Sequence, residues 1–199
     1  GHTITSFAPR MLTGWESVVD FRGTRQQVER FMKAHVAVAY YEGPYKVSIH
    51  HGDDKFSVLP SLGLICGNLL HFKISGTSFL EGMRVVVRKH PTLFNEIVAF
   101  CLENHGMRNY PIPCSLDREA IDELSRTTLK DVEGIFIDQE VGRQLLEGMY
   151  APVFSIGRRP NGIPFKEALT EVIQKHEGLF TGFLTERVGR HVELLSTSA

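Results

Sequence analysis

Cysteine is scarce in this 199-residue chain: there are three, at positions 66, 101 and 114. An odd number at wide spacing excludes a disulfide framework and a paired-cysteine zinc site, and points to a reducing, cytoplasmic compartment. A dominant charge is also missing. Twenty-two Lys and Arg stand against 23 Asp and Glu, a formal net charge of −1, which lacks the basic excess of a dedicated nucleic-acid binder. No apolar run reaches the length of a membrane span, and the amino terminus has no signal-peptide pattern. Internal repeats and low-complexity tracts are absent, which excludes a solenoid. No Gly-x-Ser-x-Gly elbow occurs, and nothing around Cys66 or Cys114 marks a reactive thiol.

What is there is an ordinary globular composition, 42% hydrophobic and 23% charged, long enough for one large or two small domains. Residues 15–21 read as a strand. Thr24 and Gln27 form a capping-box pattern ahead of Val28, Phe31 and Met32 at helical spacing. Residues 36–41, rich in β-branched and aromatic side chains, read as a strand, and Gly43-Pro44 breaks the chain after it. Val47, Ile49, Phe56 and Val58 alternate around a Gly52-Asp53-Asp54 turn, so residues 45–59 predict a β-hairpin. For residues 61–70 two readings stand: a helix held by packing, because its two glycines oppose it, or an irregular buried loop.

Pro91 opens a helix with Phe94, Ile97, Val98, Cys101 and Leu102 on one face and Gly106 just past its end. A linker at 112–115 and a short amphipathic helix at 116–124 follow. Further on, residues 134–137 and 151–156 read as strands, and Val141, Leu145, Leu146 and Met149 as a helical face between them. Arg159-Pro160-Asn161-Gly162 reads as a turn. Pro164 opens a helix with Phe165, Ala168, Leu169, Val172 and Ile173 inward, stopped by Gly178. Residues 179–184 and 191–195 read as closing strands.

The order of hairpin, small-residue segment, strand ending in Arg88, and Pro91-x-x-Phe94-x-x-Ile97-Val98-x-Phe100 closing on Gly106 resembles the BTB/POZ family, especially its potassium-channel tetramerisation branch. The resemblance covers under half of the chain. The hairpin carries Gly52-Asp53 where that family has a glycine pair, and Val87 where it has an aspartate. It implies protein–protein recognition: a homo-oligomer or adaptor, with docking to a ubiquitin ligase among its uses.

Three segments carry residue types suited to chemistry. His50-His51-Gly52-Asp53-Asp54 is the densest group of metal-ligand types. Neighbours on a strand point to opposite faces, however, and a turn favours the aspartates in its own right. Asp138 and Glu140 end an apolar segment as magnesium-binding carboxylates do, but a helix start favours acids too. Residues 157–162, with Arg158, Arg159 and Gly162 ahead of the Pro164 helix, follow a general plan for phosphate. They also resemble the acyl-CoA loop of the GNAT acetyltransferases, which Pro164 breaks. His35, His71, His105 and His176 read as surface or core residues.

The sequence therefore predicts an α+β protein with an extension at 1–43, a BTB/POZ-like domain at 44–133 and an α+β segment at 134–199. The expected function is oligomerisation or adaptor work, with no cofactor, no metal and no catalytic residue assigned. His50, Asp53, Asp54, Phe79, Arg88 and His90 are the partner-interface candidates, for a protein partner and a homo-oligomer. The alternative is a GNAT-like or phosphate-ligand enzyme built on Arg158, Arg159 and Gly162.

Overall fold

The computed structural model describes residues 4–107, 116–126 and 131–197, and these belong to two compact units. The first comprises Gly1–Ser75 with Glu186–Ala199, and the second Gly76–Thr185.

In the first unit a two-residue strand β1 (Ser6–Phe7) precedes helix α1 (Arg25–Glu42), strand β2 (Lys46–Ile49) and helix α2 (Leu59–Cys66). A 3-10 turn then leads into strand β3 (Leu70–Phe72). The sheet order is β1-β2-β3 and both pairings are parallel, with Phe7 opposite Val47 and Ser48 opposite His71. Thr24 caps α1 as its sequence indicates: its hydroxyl accepts from the Gln27 amide at 3.3 Å and the Gln27 side chain accepts from the Thr24 amide at 2.8 Å. Thr24→Ala should lower stability by about 1 kcal/mol, read from a urea-denaturation midpoint; a change under a few tenths would mean that the cap is idle.

Helix α1 takes in residues 36–41, which the sequence read as a strand. Val28, Met32, Val36 and Ala39 are all buried. That unbroken helical stripe outweighs the β-propensity of the run, leaving Val38, Tyr40 and Tyr41 exposed. Residues 15–21 are turns and bends, and Val18 sits at φ +51°. The hairpin is also corrected. Residues 55–58 are turns leading into α2, because His51 (φ +51°) and Asp54 (φ +61°) swing the chain off the sheet. Both edges of β2 are then taken by β1 and β3.

Of the two readings of 61–70, the helix stands for its first part. A Cβ on Gly63 would meet the Leu195 carbonyl oxygen at 1.8 Å, so the glycine that weakens α2 is what lets another backbone pack on it. The core of this unit joins Val28, Met32 and Ala39 of α1 with Val47 and Ile49 of β2 and Leu59 and Leu62 of α2.

The second unit is helical: α3 (Ser75–Lys89), α4 (Pro91–Asn104), α5 (Arg118–Arg126), a π turn over Gly134–Asp138, α6 (Glu140–Gly148), α7 (Tyr150–Ser155) and α8 (Phe165–Lys175). Helix α9 (Glu177–Ser196) gives its first turns to this unit and its later turns to the first. The segments read as strands at 84–88, 134–137, 151–156, 179–184 and 191–195 lie in these helices and turns. Each carries Val, Ile, Leu or Phe, whose β-propensity is a weak local preference that the tertiary context overrides. Helix α8 ends at Lys175 with His176 as its cap, and Gly178 lies in the first turn of α9. The linker at 112–115 lies outside the described residues, and the short helix after it is α5.

Helix α4 matches its sequence reading. Pro91 stands in its first turn, and Phe94, Ile97, Val98 and Cys101 are buried, while Leu102 is half-buried. Phe94, fully buried, meets Phe136 edge-on at 6.4 Å. Phe94→Ala should cost about 3 kcal/mol, visible as a lowered thermal midpoint; an unchanged midpoint would contradict that packing. The coarse class is thus α+β-like: mostly helix, with one small parallel sheet.

Candidate active site

In parallel sheets the space beyond the carboxyl ends of the strands is where ligands are held. Here the sheet has two unlike faces. Val47 and Ile49 are fully buried on the helix side, where Phe7, Leu70 and Phe72 accompany them. Alternation then puts Lys46, Ser48 and His50 of β2 and its extension on the other face, beside His71 and Lys73. Parallel sheets are ordinarily apolar on both faces. Two lysines, two histidines and a serine on β2, β3 and the residues just past them depart from that rule.

The polar face is organised. Ser48 Oγ lies 3.0 Å from His71 Nδ1, which sets the ring and leaves Nε2 for a ligand; His50, His71 and Lys73 are exposed. The ladder runs on past the strand ends, with the Lys73 amide donating to the Ile49 carbonyl and the Gly52 amide to the Lys73 carbonyl, both at 2.9 Å. Half-buried His51 is held below its ordinary pKa, first by burial, with Asp53 opposing and Lys55, His50 and Lys73 assisting.

The loop after β2 is gripped by the segment 15–20. Trp15 Nε1 donates to the His50 carbonyl at 3.0 Å, and Asp20 accepts from the Ser57 hydroxyl at 2.8 Å. Lys55 is fully buried. Its ammonium donates to the carbonyls of Glu16 at 2.6 Å, Val19 at 2.5 Å and Asp53 at 2.9 Å, and lies 5.2 Å from the Trp15 ring centre. Burial lowers its pKa to about 8 against the pull of Asp53, Asp54, Asp20 and Glu16. With three donors spent on three carbonyls, Lys55 is a clamp that fixes the loop.

The residues singled out from sequence are dispersed. His50 reaches the polar face, whereas Asp53 and Asp54 are buried, Asp54 paired with Arg187. In the second unit Phe79 packs edge-on against Tyr150 and Phe154 at 5.1 and 5.9 Å. Arg88 pairs with Glu133 at 2.6 Å and lies over the Phe183 ring, and His90 caps α4 by accepting from the Leu93 amide. Asp138 and Glu140 have structural places: Asp138 joins Glu81 and Glu133 around Arg84, and Glu140 stands in the first turn of α6.

The groups of the phosphate-loop reading have partners within the protein. Arg159 is held by both oxygens of Glu96 at 2.7 and 3.2 Å, and Arg158 donates to the Gly162 carbonyl. The Phe165 amide, which would have faced an anion, donates to the Gly157 carbonyl. The turn itself is present, closed by Gly162 at φ +87°. Among the described residues no group of three or more His, Cys, Asp and Glu side chains converges as a metal site would, and no helix is long and apolar enough to cross a membrane.

Ser48, His71, Lys73 and Lys55 were not recognised from sequence. The signal was present as two polar alternations, Lys46-Ser48-His50 interleaved with buried Val47 and Ile49, and His71-Lys73 around half-buried Phe72.

A sequence model of the tagaturonate epimerase family, UxaE, matches residues 1–195. A tagaturonate/fructuronate epimerase of Thermotoga maritima is 33% identical over 195 residues, which is 98% of this chain and 39% of that protein. Crystal structures of the fructuronate-tagaturonate epimerase UxaE from Cohnella laeviribosi are 27% identical to the chain. The native form superposes with a TM-score of 0.83 over 96% of the chain, and a complex with two glycerols with 0.85 over 98%. The chain spans about two fifths of the length of these relatives (39% and 40%). These matches overturn the BTB/POZ resemblance with its adaptor and oligomerisation reading; they stand nearer the enzyme alternative, though not as a GNAT-like acyltransferase. Pro91 and the apolar spacing after it are what any buried amphipathic helix with a proline start displays. The chain belongs to the UxaE tagaturonate epimerase family.

Proposed function

We propose that the protein containing this chain interconverts tagaturonate and fructuronate, and that the polar face of β2 and β3 forms part of its active site. The two ketouronates share a carboxylate and differ in configuration at one carbon. A site for them needs a cation for the carboxylate and a group that passes protons while a bond at that carbon is broken and remade.

The observation that carries this reading is the pairing of basic side chains with an oriented imidazole on one face of a parallel sheet. Lys73 and Lys46 supply positive charge on that face. His71, its Nδ1 engaged by Ser48 at 3.0 Å, has the geometry of a proton carrier acting through Nε2. His50 stands at the carboxyl end of β2, where the Trp15 contact to its carbonyl keeps its backbone in place.

The test is to incubate the intact protein with tagaturonate and follow the sugar signals by proton NMR. Appearance of fructuronate is the expected result, and a spectrum unchanged from the protein-free control would refute the reading.

A further inference from the structure

The loop after β2 has a second anchor, on α9. His191 is 1% exposed, and both of its ring nitrogens are engaged. Nδ1 lies 2.8 Å from the Arg187 carbonyl one helical turn back, to which it donates, and Nε2 accepts from the backbone amide of Asp54 at 3.2 Å. Those two partners require a neutral ring with its proton on Nδ1, because an imidazolium would turn an N–H toward the Asp54 N–H. The ring is packed by Phe56 at 4.8 Å and Phe72 at 6.3 Å between centroids.

The charged groups facing it are Asp53 and Asp54 from the loop and Arg187 from its own helix. Arg187 is paired with the Asp54 carboxylate, and the guanidinium groups of Arg187 and Arg190 lie 5.0 and 4.1 Å from the centre of the Phe56 ring. One short loop is thus tied to α9 by an ion pair, a backbone hydrogen bond and an aromatic stack.

We propose that His191 is a positioning residue whose neutral ring latches the loop after β2 onto α9 and so holds His50 at the edge of the sheet. This rests on the reading of the polar sheet face as the active site.

Burial lowers the pKa of His191 from its ordinary value, with the Arg187 carbonyl and Asp54 opposing and the Arg187 charge assisting. The unfolded chain therefore binds the proton first as the pH falls. The latch is fully present above about 6.5, the unperturbed histidine value, and is lost as the pH drops from there through the depressed folded value. Acid should release the loop without unfolding the rest of the unit.

Amide hydrogen exchange at Asp54 in the intact protein reads the latch independently of catalysis. In the wild type, protection of that amide, corrected for intrinsic exchange, should fall about tenfold or more between pH 7.5 and pH 5. His191→Gln offers the same acceptor and donor without titrating, and should keep Asp54 protected at both values. His191→Leu should leave it unprotected at both and lower kcat for tagaturonate about tenfold with little change in KM. A residue that only fills space would shift the melting temperature and leave the pH dependence intact. Wild-type protection that stays constant down to pH 5 would overturn the proposal, and the glutamine variant decides it even where the leucine variant does not fold. An intact protein that epimerises neither ketouronate, yet shows the expected exchange pattern, would sink the active-site reading and leave the latch standing.

Discussion

Lys55→Ala should destabilise the protein by about 4 kcal/mol, a larger loss than any other single substitution discussed for the first unit. The ammonium holds the carbonyls of Glu16, Val19 and Asp53. Each buried carbonyl left without a donor costs about 1–3 kcal/mol, and the vanished stem opens a cavity beside Trp15. Removing a buried charge recovers part of this, since the drop from 10.5 to about 8 corresponds to roughly 3 kcal/mol of unfavourable burial near neutral pH. The carbonyls and the cavity together outweigh that recovery. Lys55→Met, which keeps the stem, should lose about half as much.

The same residue gives a pH signature. Its folded pKa is below its unfolded one, so the unfolded chain holds more protons between the two values, and stability rises with pH there. Between pH 8 and pH 10 the wild type should gain about 2 kcal/mol relative to the methionine variant. Urea denaturation of both proteins at both pH values measures this. Parallel curves for the two proteins, or an alanine variant as stable as the wild type, would show that the clamp carries no load.

His71→Gln should lower kcat for ketouronate epimerisation by about 10²–10⁴-fold, the usual contribution of a positioned proton carrier. Because His71 is exposed on the sheet face, stability should stay within about 0.5 kcal/mol of wild type. Ser48→Ala, which frees the ring at Nδ1, should give a smaller loss of about tenfold. A His71→Gln enzyme with wild-type kcat would move the proton transfer elsewhere.

How much of this was legible before the fold was known depends on how local each signal is. The Thr24 cap and the Pro91 helix are written within one or two turns of chain, and both appear where the sequence puts them. Cys101 is buried as a small hydrophobe, again as its place on the helical face indicates. The sheet is another matter. Ser48 and His71 are partners 23 positions apart in the chain, and nothing near either one names the other.

The Gly52-Asp53-Asp54 turn is real but does not fold the chain back on itself; it carries it into α2 under the grip of Lys55. Runs such as Val85-Val86-Val87 and residues 36–41 invite a strand reading because β-branched propensity is local, whereas the buried stripe that keeps them helical is tertiary. The family resemblance failed for the same reason. It was carried by helix grammar that many folds share, while the alternation of basic and apolar residues on β2 and β3 was present and unused.

The account depends on the sheet face being where the sugar acid sits. Titrating the intact protein with tagaturonate while observing histidine imidazole resonances tests this most directly. The signals of His50 and His71 should shift in a saturable way, with those of His90 and His176 in the second unit unmoved. Saturable shifts confined to His90 and His176, with His50 and His71 silent, would contradict it.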